Sequence, residues 1–318
     1  MRYLITGISG FVGGHYLEYL ARERPDSHIV GTDTLGLNVE FLKRSFREKI
    51  VFCQGSLLDK DWVLGLIEKH KPDYIINLAS YSSVAYSWKA PAECFINNTN
   101  IFLNIIDAVH KLNINVKVLS VGSSEEYGAV DPRDLPLREE APLNPVSPYA
   151  VARVSQEQLS RVYSKGYGIP IVCTRSFNHI GPRQADIFVV SSFAKQIVEA
   201  KKGRRSKIIA GDLEIIRDFI DVRDVVWAYD LLLEKGKKGE IYNVCSEDGH
   251  KLSDIIMMLQ KEAGMDLPVE RDPNLIRPKD NPVIIGSSEK LRKDTGFKRE
   301  YHLHQSLKDM LRYWQDNI

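Results

Sequence analysis

The chain has 318 residues, of which 43% are hydrophobic and 27% are charged, so it can bury a large core in one or two packed domains and disorder is not expected. Its 43 Lys and Arg nearly balance its 42 Asp and Glu, and a net charge of +1 gives no reason to expect nucleic acid or a membrane surface as a partner. The four cysteines lie far apart without a C-x-x-C pair, which favours reduced core residues over a metal site or a disulfide framework: Cys53, Cys94, Cys173 and Cys245.

Short apolar runs alternate with longer amphipathic runs along most of the chain. The apolar runs predict strands at 2–6, 28–32, 50–54, 74–79, 116–121, 171–177 and 241–244. The amphipathic runs between them predict helices at 11–24, 59–70, 92–112, 147–167 and 221–235. This alternation is typical of an α/β protein with a Rossmann-type, doubly wound parallel sheet that carries helices on both faces.

The rhythm changes after Phe177, where the sequence becomes richer in loops and prolines. We expect a Rossmann domain formed by residues 1–177 plus 219–245. A smaller, interleaved C-terminal domain is expected from residues 178–218 plus 246–318, and it would bind the substrate. Its predicted helices lie near 188–202, 252–263 and 303–315.

The N-terminus and the apolar runs bear on where the protein works. The first strand begins almost at the initiator Met, which leaves no room for a signal peptide. No run approaches the ~20 apolar residues that a membrane span needs. We therefore expect a cytoplasmic protein without a membrane partner.

A glycine-rich turn joins the first strand to the first helix. The run Gly7-Ile8-Ser9-Gly10-Phe11-Val12-Gly13 has the spacing G-x-x-G-x-x-G. Glycines there permit a tight turn and let backbone N–H groups approach a pyrophosphate, while the helix N-terminus favours the anion. An ordinary strand-to-helix turn is the alternative. The position of this turn, at the first strand of an α/β pattern, predicts a dinucleotide site.

An acid at the end of the second strand supports the same site. Asp33 stands about where a carboxylate binds the adenosine ribose, and its charge would repel a 2′-phosphate. We therefore favour NAD(H) as the cofactor and leave NADP(H) open. The alternative is that Asp33 only caps a loop.

Two further segments carry candidate catalytic groups. Ser147 and Pro148 mark a helix start, after which Tyr149 and Arg153 share one helix face. A cation one turn away and the helix N-terminus both stabilise a phenolate, so this Tyr is a candidate acid/base, although such a pair can also be surface decoration. The strand at 116–121 ends in GSSEEYG, whose hydroxyls lie at the sheet edge that binds ligands or simply cap a turn.

Together these features resemble the extended short-chain dehydrogenase/reductases that act on nucleotide sugars. The likeness covers essentially the whole chain and includes Asn77-Leu78-Ala79, SFNHIGP at 176–182, IRDFIDVRDVV, YNVCS and RPKDNPVIIGSSEKL. It implies a GDP-sugar substrate and favours reduction of the 4-keto group of GDP-6-deoxy-4-keto-D-mannose. Dehydration of GDP-mannose by a 4,6-dehydratase is the alternative, with a 4-epimerase or another nucleotide-sugar dehydratase behind it.

The resemblance also assigns roles to single residues. It makes Ser123 the catalytic hydroxyl and Tyr149 the acid/base, with Arg153 beside it and Glu125 in the place of the dehydratase base. The implied cofactor contacts are Gly7, Gly10, Phe11, Val12, Gly13, Asp33, Ser56, Leu57, Leu78, Ala79, Tyr149 and Arg153. The implied substrate contacts are Ser82, Ser83, Ser124, Glu125, Asn178, Val189, Lys195, Arg217, Arg277 and Asp280. No metal is implied, and His179 is expected to be a packed loop residue.

One departure from the family pattern affects the catalytic pair. The family has Tyr-x-x-x-Lys, whereas this sequence has Arg153 in place of the Lys. An Arg keeps the charge, but its planar fork reaches differently from an ammonium. Cofactor binding should be retained, and a binding protein with impaired catalysis stays open as a second alternative.

The helices at 92–112 and 147–167 form a dimer interface in the family that this chain resembles. Both carry more apolar residues than one buried stripe needs, so we expect a homodimer. The alternative is that all of these residues face the sheet. They are Phe95, Phe102, Ile105, Ile106 and Val109 on the first helix, and Val154, Leu159 and Val162 on the second.

Overall fold

The computed structural model describes residues 1–276 and 281–318. Its strands are β1 (Arg2–Thr6), β2 (His28–Asp33), β3 (Ile50–Gln54), β4 (Tyr74–Asn77), β5 (Lys117–Ser123), β6 (Ile171–Ser176), β7 (Asn178–Ile180), β8 (Ile208–Ala210), β9 (Ile216–Asp221), β10 (Ile241–Val244), β11 (Gly249–Lys251), β12 (Val269–Arg271) and β13 (Val283–Ile284). Its helices are α1 (Phe11–Glu23), α2 (Arg44–Arg47), α3 (Lys60–His70), α4 (Val84–Lys89), α5 (Pro91–Leu112), α6 (Pro148–Gly166), α7 (Val189–Lys201), α8 (Val222–Lys235), α9 (Leu252–Ala263), α10 (Glu289–Thr295) and α11 (Leu303–Asn317).

A parallel sheet of seven strands forms the centre of the molecule. Its order is β10-β6-β5-β4-β1-β2-β3, and every neighbouring pair in it is parallel. The strand order reverses between β1 and β4, and at such a reversal a doubly wound sheet opens a crevice beyond its carboxyl edge. The structure confirms the predicted α/β fold.

Helices cover both faces of this sheet and close two hydrophobic clusters. On one face α1 packs against α8 around side chains such as Tyr16, Leu20 and Leu232. On the other face α5 packs against α3 and α6 over Leu4, Ile75 and other strand residues. Because both faces are covered, the strands read as continuous apolar runs, which is why the sequence predicted them well.

Four apolar residues of α5 belong to this core. Phe102, Ile105, Ile106 and Val109 are buried in the cluster that α5 shares with the sheet. Our expectation that they contribute to a dimer interface was therefore wrong, because their side chains are already used inside the chain. Phe95 on the same helix and Val162 on α6 remain exposed.

A second group of short strands lies beside the main sheet. β9 pairs with β7, β11 and β13, while β8 pairs with β12. Helices α7, α9 and α11 close a separate cluster there around Phe193, Ile255 and Leu311. The domain boundary drawn between residues 218 and 219 falls inside β9. None of the helices in the described ranges is long and apolar enough to cross a bilayer.

Candidate active site

A cleft of about 1550 Å³ opens at the carboxyl edge of the main sheet. Its walls include the glycine turn before α1, the end of β5, the start of α6, and the segment from β7 to α7. Its volume exceeds the ~300–1,000 Å³ typical of a pocket for one small ligand. The cleft is therefore large enough for a dinucleotide and a second ligand together.

The glycine turn at one end of the cleft has no space for side chains. Gly7 has φ +66°, and a Cβ there would lie 2.8 Å from the Ala79 nitrogen. A Cβ on Gly13 would lie 2.3 Å from the Ile8 carbonyl oxygen. Gly10 begins α1 without a side-chain cap, which leaves the helix N-terminus open to an anion.

The Asp33 carboxylate is fixed by the backbone around it. One oxygen accepts a hydrogen bond from the Ser9 N–H and the other from the Leu35 N–H, each at 3.1 Å. The loop-capping role left open by the sequence is therefore present. Asp33 also lines the cleft, so its charge faces the space beside the glycine turn.

These features fit a nicotinamide dinucleotide. The N-terminus of α1 offers backbone N–H groups beside glycines that carry no side chains, and a fixed carboxylate stands at the end of β2. The remaining residues predicted for the cofactor, apart from the catalytic pair, also line the cleft: Phe11, Val12, Ser56, Leu57, Leu78 and Ala79.

The catalytic pair lies at the start of α6. Ser147 caps the helix by accepting a hydrogen bond from the Ala150 N–H at 3.1 Å, and Pro148 occupies the first turn. Tyr149 and Arg153 are both buried but line the cleft. The Arg153 Nε donates to the Tyr149 hydroxyl at 3.2 Å, so the guanidinium reaches the phenol directly.

Arg153 has further acceptors that the sequence analysis missed. Its guanidinium donates to the Val121 carbonyl at 3.0 Å, to Gln156 Oε1 at 2.7 Å, and to the Ser80 hydroxyl. Gln156 follows Arg153 by three positions on the same helix face, a spacing that could have revealed it. Ser80 comes from the loop after β4, and nothing in its local sequence indicates the contact.

The end of β5 presents hydroxyl and carboxyl groups to the cleft. Ser123 caps a short 3-10 turn at Ser124–Tyr127, and its hydroxyl accepts a hydrogen bond from the Glu125 N–H at 3.2 Å. The Ser123 N–H donates to the Glu126 carboxyl at 2.7 Å. Ser123 therefore caps a turn and also lines the same cleft as Tyr149.

Glu126 is fully buried behind this turn. Burial, together with the nearby charge of Glu157, raises the pKa of the Glu126 carboxyl to about 8. His179, which lines the cleft, has a pKa lowered to about 4 by burial, so its imidazole is neutral at pH 7.

Most of the residues predicted for the substrate also line the cleft: Ser82, Ser83, Ser124, Glu125, Asn178, Val189 and Arg217. The Arg217 side chain donates to the Asn281 carbonyl at 2.7 Å and to the Ile216 carbonyl at 2.9 Å. Lys195 does not line the cleft, because it pairs with Asp186 at 2.6 Å, and it is Asp186 that lies in the wall. Arg277 and Asp280 lie outside the described residues.

The cleft wall contains residues that the sequence analysis did not name. Trp88 and Lys89 at the end of α4 belong to it, as do Asn97 on α5 and Ser192 on α7. Helix α4 is only six residues long, so it left no recognisable period in the sequence. Within the described parts of the chain, no cluster of three or more His, Cys, Asp or Glu side chains is arranged to hold a metal ion.

The chain resembles known enzymes along its full length. A GDP-mannose 4,6 dehydratase family model matches residues 4–310. GDP-6-deoxy-D-mannose reductase of Pseudomonas aeruginosa is 33% identical over 318 aligned residues, which cover 100% of this chain and 98% of that protein. The relatives include nucleotide-sugar reductases, dehydratases and epimerases, and the family resemblance proposed from the motifs is confirmed.

Solved structures agree with this relationship. The structure of RMD from Pseudomonas aeruginosa, complexed with NADPH, superposes with a TM-score of 0.87 at 32% identity and covers 100% of this chain and 99% of that one. UDP-glucose 4-epimerase of Thermotoga maritima, solved with UDP-glucose, superposes with a TM-score of 0.88 at 26% identity, and 99% of each chain is covered. The likeness covers the whole length of the chain in both sequence and structure. This chain therefore belongs to the GDP-mannose 4,6-dehydratase family.

Proposed function

We propose that this enzyme reduces the 4-keto group of GDP-6-deoxy-4-keto-D-mannose to a hydroxyl, using a reduced nicotinamide dinucleotide. The observation that carries the proposal is the full-length similarity to GDP-6-deoxy-D-mannose reductase. The arrangement of Ser123, Tyr149 and Arg153 in one cleft agrees with it.

The residues of this chain would divide the reaction between them. The bound cofactor supplies a hydride to the carbonyl carbon of the sugar. The Tyr149 hydroxyl donates its proton to the carbonyl oxygen, and the Ser123 hydroxyl orients that oxygen by a hydrogen bond. The Arg153 guanidinium, which already donates to the Tyr149 oxygen, stabilises the phenolate that remains until solvent returns a proton.

We propose that the substrate lies across two structural units. Residues 1–177 plus 219–245 would hold the cofactor, and residues 178–218 plus 246–318 would hold the nucleotide. Arg217 is buried in the cleft wall, and there it provides positive charge for the diphosphate. Asn178 in the same wall offers an amide to the nucleotide sugar.

The choice between NADH and NADPH depends on Asp33. Its fixed carboxylate disfavours a 2′-phosphate, which supports NAD(H). The similar structure from Pseudomonas aeruginosa was solved with NADPH, which supports the second cofactor. Both cofactors therefore belong in the assay.

A 4,6-dehydratase is the second candidate function. That reaction needs a base for the C5 proton, and Glu125 lies in the cleft wall next to Ser123 and Ser124. The remaining alternative is a binding protein with impaired catalysis. The contact between Arg153 and the Tyr149 hydroxyl argues against it, because the positive charge that the family places at the phenol is retained.

The test is an assay of the purified protein with the keto sugar and either NADH or NADPH, following the absorbance of the reduced cofactor. GDP-mannose alone is the parallel sample. Stoichiometric oxidation of the cofactor with the keto sugar is expected, and Tyr149→Phe should abolish it. A keto sugar formed from GDP-mannose, without oxidation in the first sample, would replace the reductase with the dehydratase.

We also propose that the enzyme is a cytoplasmic homodimer. The four cysteines are all unpaired, as expected in a reducing compartment. Exposed apolar residues on neighbouring helices support the dimer: Phe95 and Ile96 on α5, and Val151 and Val162 on α6.

A further inference from the structure

The inner face of α6 is polar although it is buried. Arg153, Gln156 and Ser160 follow one another along this face, and each is at most 5% exposed. They pack against β5, where Ser120 is also buried. Buried polar groups are stable only when they are hydrogen-bonded, so their arrangement is strongly constrained.

All three nitrogens of the Arg153 guanidinium donate hydrogen bonds. Its Nε donates to Tyr149, one terminal nitrogen donates to Val121 and Gln156, and the other donates to Ser80. A Lys ammonium also has three N–H donors, but all of them lie on one nitrogen, so it cannot reach acceptors that are spread around three separate guanidinium nitrogens. The surroundings of position 153 therefore fit an arginine.

Gln156 is oriented by its own partners. Its amide nitrogen donates to Ser120 Oγ at 2.9 Å and to the Val121 carbonyl at 3.1 Å. The amide oxygen is thereby turned toward Arg153, from which it accepts at 2.7 Å. Ser160 Oγ lies 3.1 Å from Ser120 Oγ and extends the network along the helix.

We propose that Gln156 is a positioning residue that holds the Arg153 guanidinium against the Tyr149 hydroxyl and so sets how readily Tyr149 gives up its proton. Gln156 is buried and does not line the cleft, so it acts through Arg153. Its importance for catalysis rests on the proposed function, whereas its effect on the titration of Tyr149 does not.

Other titratable groups face this pair, and each acts differently from Arg153. Glu126 lies behind β5, Cys94 lies on α5, and Tyr229 lies on α8. Burial raises the pKa of all three, which favours their neutral forms near pH 7. Glu157, next to Gln156, is already paired with Arg175. The guanidinium hydrogen-bonded to the phenol is thus the charge that acts on it most directly.

The test follows the titration of Tyr149 by NMR in protein labelled with ¹³C at the Tyr Cζ positions, with no substrate present. Tyr149→Phe identifies the signal among the 14 tyrosines. In Gln156→Leu the titration midpoint should move to higher pH by about one unit, because the cation is no longer held at the phenol. Gln156→Met, whose flexible side chain adapts to the same space, should give the same shift.

Ser164→Ala is the matched control, since Ser164 is buried on the same helix but is not bonded to Arg153. Its midpoint should equal that of the wild type. Glu126 is a titratable group that interacts with Arg153, so the comparison is repeated with Glu126→Gln in every protein. An unchanged midpoint in both Gln156 variants overturns the proposal.

Turnover separates this inference from the proposed function. With the keto sugar, Gln156→Leu should lower kcat without changing KM, and the alkaline limb of the rate should move with the NMR midpoint. A shifted midpoint in an enzyme that does not reduce the keto sugar would leave Gln156 as the positioning residue of a different reaction. Reduction of the keto sugar without any shift would leave the reductase standing and remove the role of Gln156.

Discussion

The residue at position 153 shows how one substitution depends on its neighbours. A Lys-to-Arg change in an active site is commonly disruptive because the two cations differ in shape. Here the guanidinium donates to Gln156 and Ser80. It also donates to the Val121 carbonyl near the end of β5 and to the Tyr149 hydroxyl at the start of α6. The charge needed at Tyr149 is retained by a different set of contacts.

Arg153→Lys should therefore lower the rate, even though it restores the family pattern. The guanidinium meets four acceptors, whereas the ammonium has three donors on one nitrogen, so at least one acceptor would lose its donor and the contact with Tyr149 would be poorly fixed. We expect kcat with the keto sugar to fall by about tenfold or more, which corresponds to ~1.4 kcal/mol in the barrier. A rate at or above that of the wild type would show that the arginine site is not adapted.

Glu126 gives a second prediction at the same scale. Because its pKa is raised in the folded protein to about 8, folding favours its protonated form. The resulting contribution to the free energy of unfolding is fully present below about pH 4.3, the usual pKa of a Glu. It is lost as the pH rises through 8, the pKa in the folded protein. Glu126→Gln removes the titration but keeps the shape.

The free energy of unfolding of the wild type should therefore fall relative to Glu126→Gln between pH 5 and pH 8, by up to about 1.4 kcal/mol per pH unit. Urea denaturation at several pH values measures the difference. A difference between the two proteins that stays constant over this range would contradict the raised pKa.

Among the elements, the turn from β1 to α1 depends on a glycine with no room for a side chain. A Cβ at Gly13 would meet the Ile8 backbone at 2.3 Å, whereas a Cβ at Gly14 would meet only side-chain atoms at 3.9 Å and beyond. These neighbouring helical glycines provide a matched pair of variants.

Gly13→Ala should weaken cofactor binding at least tenfold and lower stability, since the backbone must move to accept the methyl group. Gly14→Ala should bind the cofactor like the wild type and gain up to about 1 kcal/mol of stability, as Ala replaces Gly in a helix. Fluorescence titration with NADH and NADPH, together with thermal denaturation, would measure both. Equal behaviour of the two variants would show that the turn does not depend on close packing.

The long elements could be predicted from the sequence, but several short ones could not. The predicted helix at 147–167 is observed at Pro148–Gly166, because its cap and its period are both visible in the sequence. Strands of three residues, such as β7 and β8, are too short to show a period, and they form only by pairing with distant segments. Asp186, which lines the cleft and pairs with Lys195, was missed for a related reason, since only the folded chain brings the two residues together.

At the scale of the whole molecule, helices α5 and α6 carry apolar residues that the folded chain leaves exposed. Val151 and Val162 lie three turns apart on α6, Phe95 and Ile96 lie on α5, which packs against α6, and all four are exposed. Burial of these residues in a homodimer would remove them from water.

Val162→Asp should therefore shift the protein from dimer to monomer in analytical ultracentrifugation. Met257→Asp on α9 is the control, because Met257 is 58% exposed, close to the 61% of Val162, and belongs to another surface. A monomeric wild type, or a control that dissociates equally, would contradict this interface.

The position of α11 has a consequence for synthesis of the chain. Leu307, Met310 and Leu311 complete the cluster of α7 and α9, and the Ser306 hydroxyl donates to Asp221 at 2.6 Å. A nascent chain that has not yet released residues 303–317 from the ribosome must leave the apolar sides of α7 and α9 exposed to water. The main sheet can form earlier, so ribosome-bound chains should recruit chaperones through the later unit, and that demand should end when α11 docks.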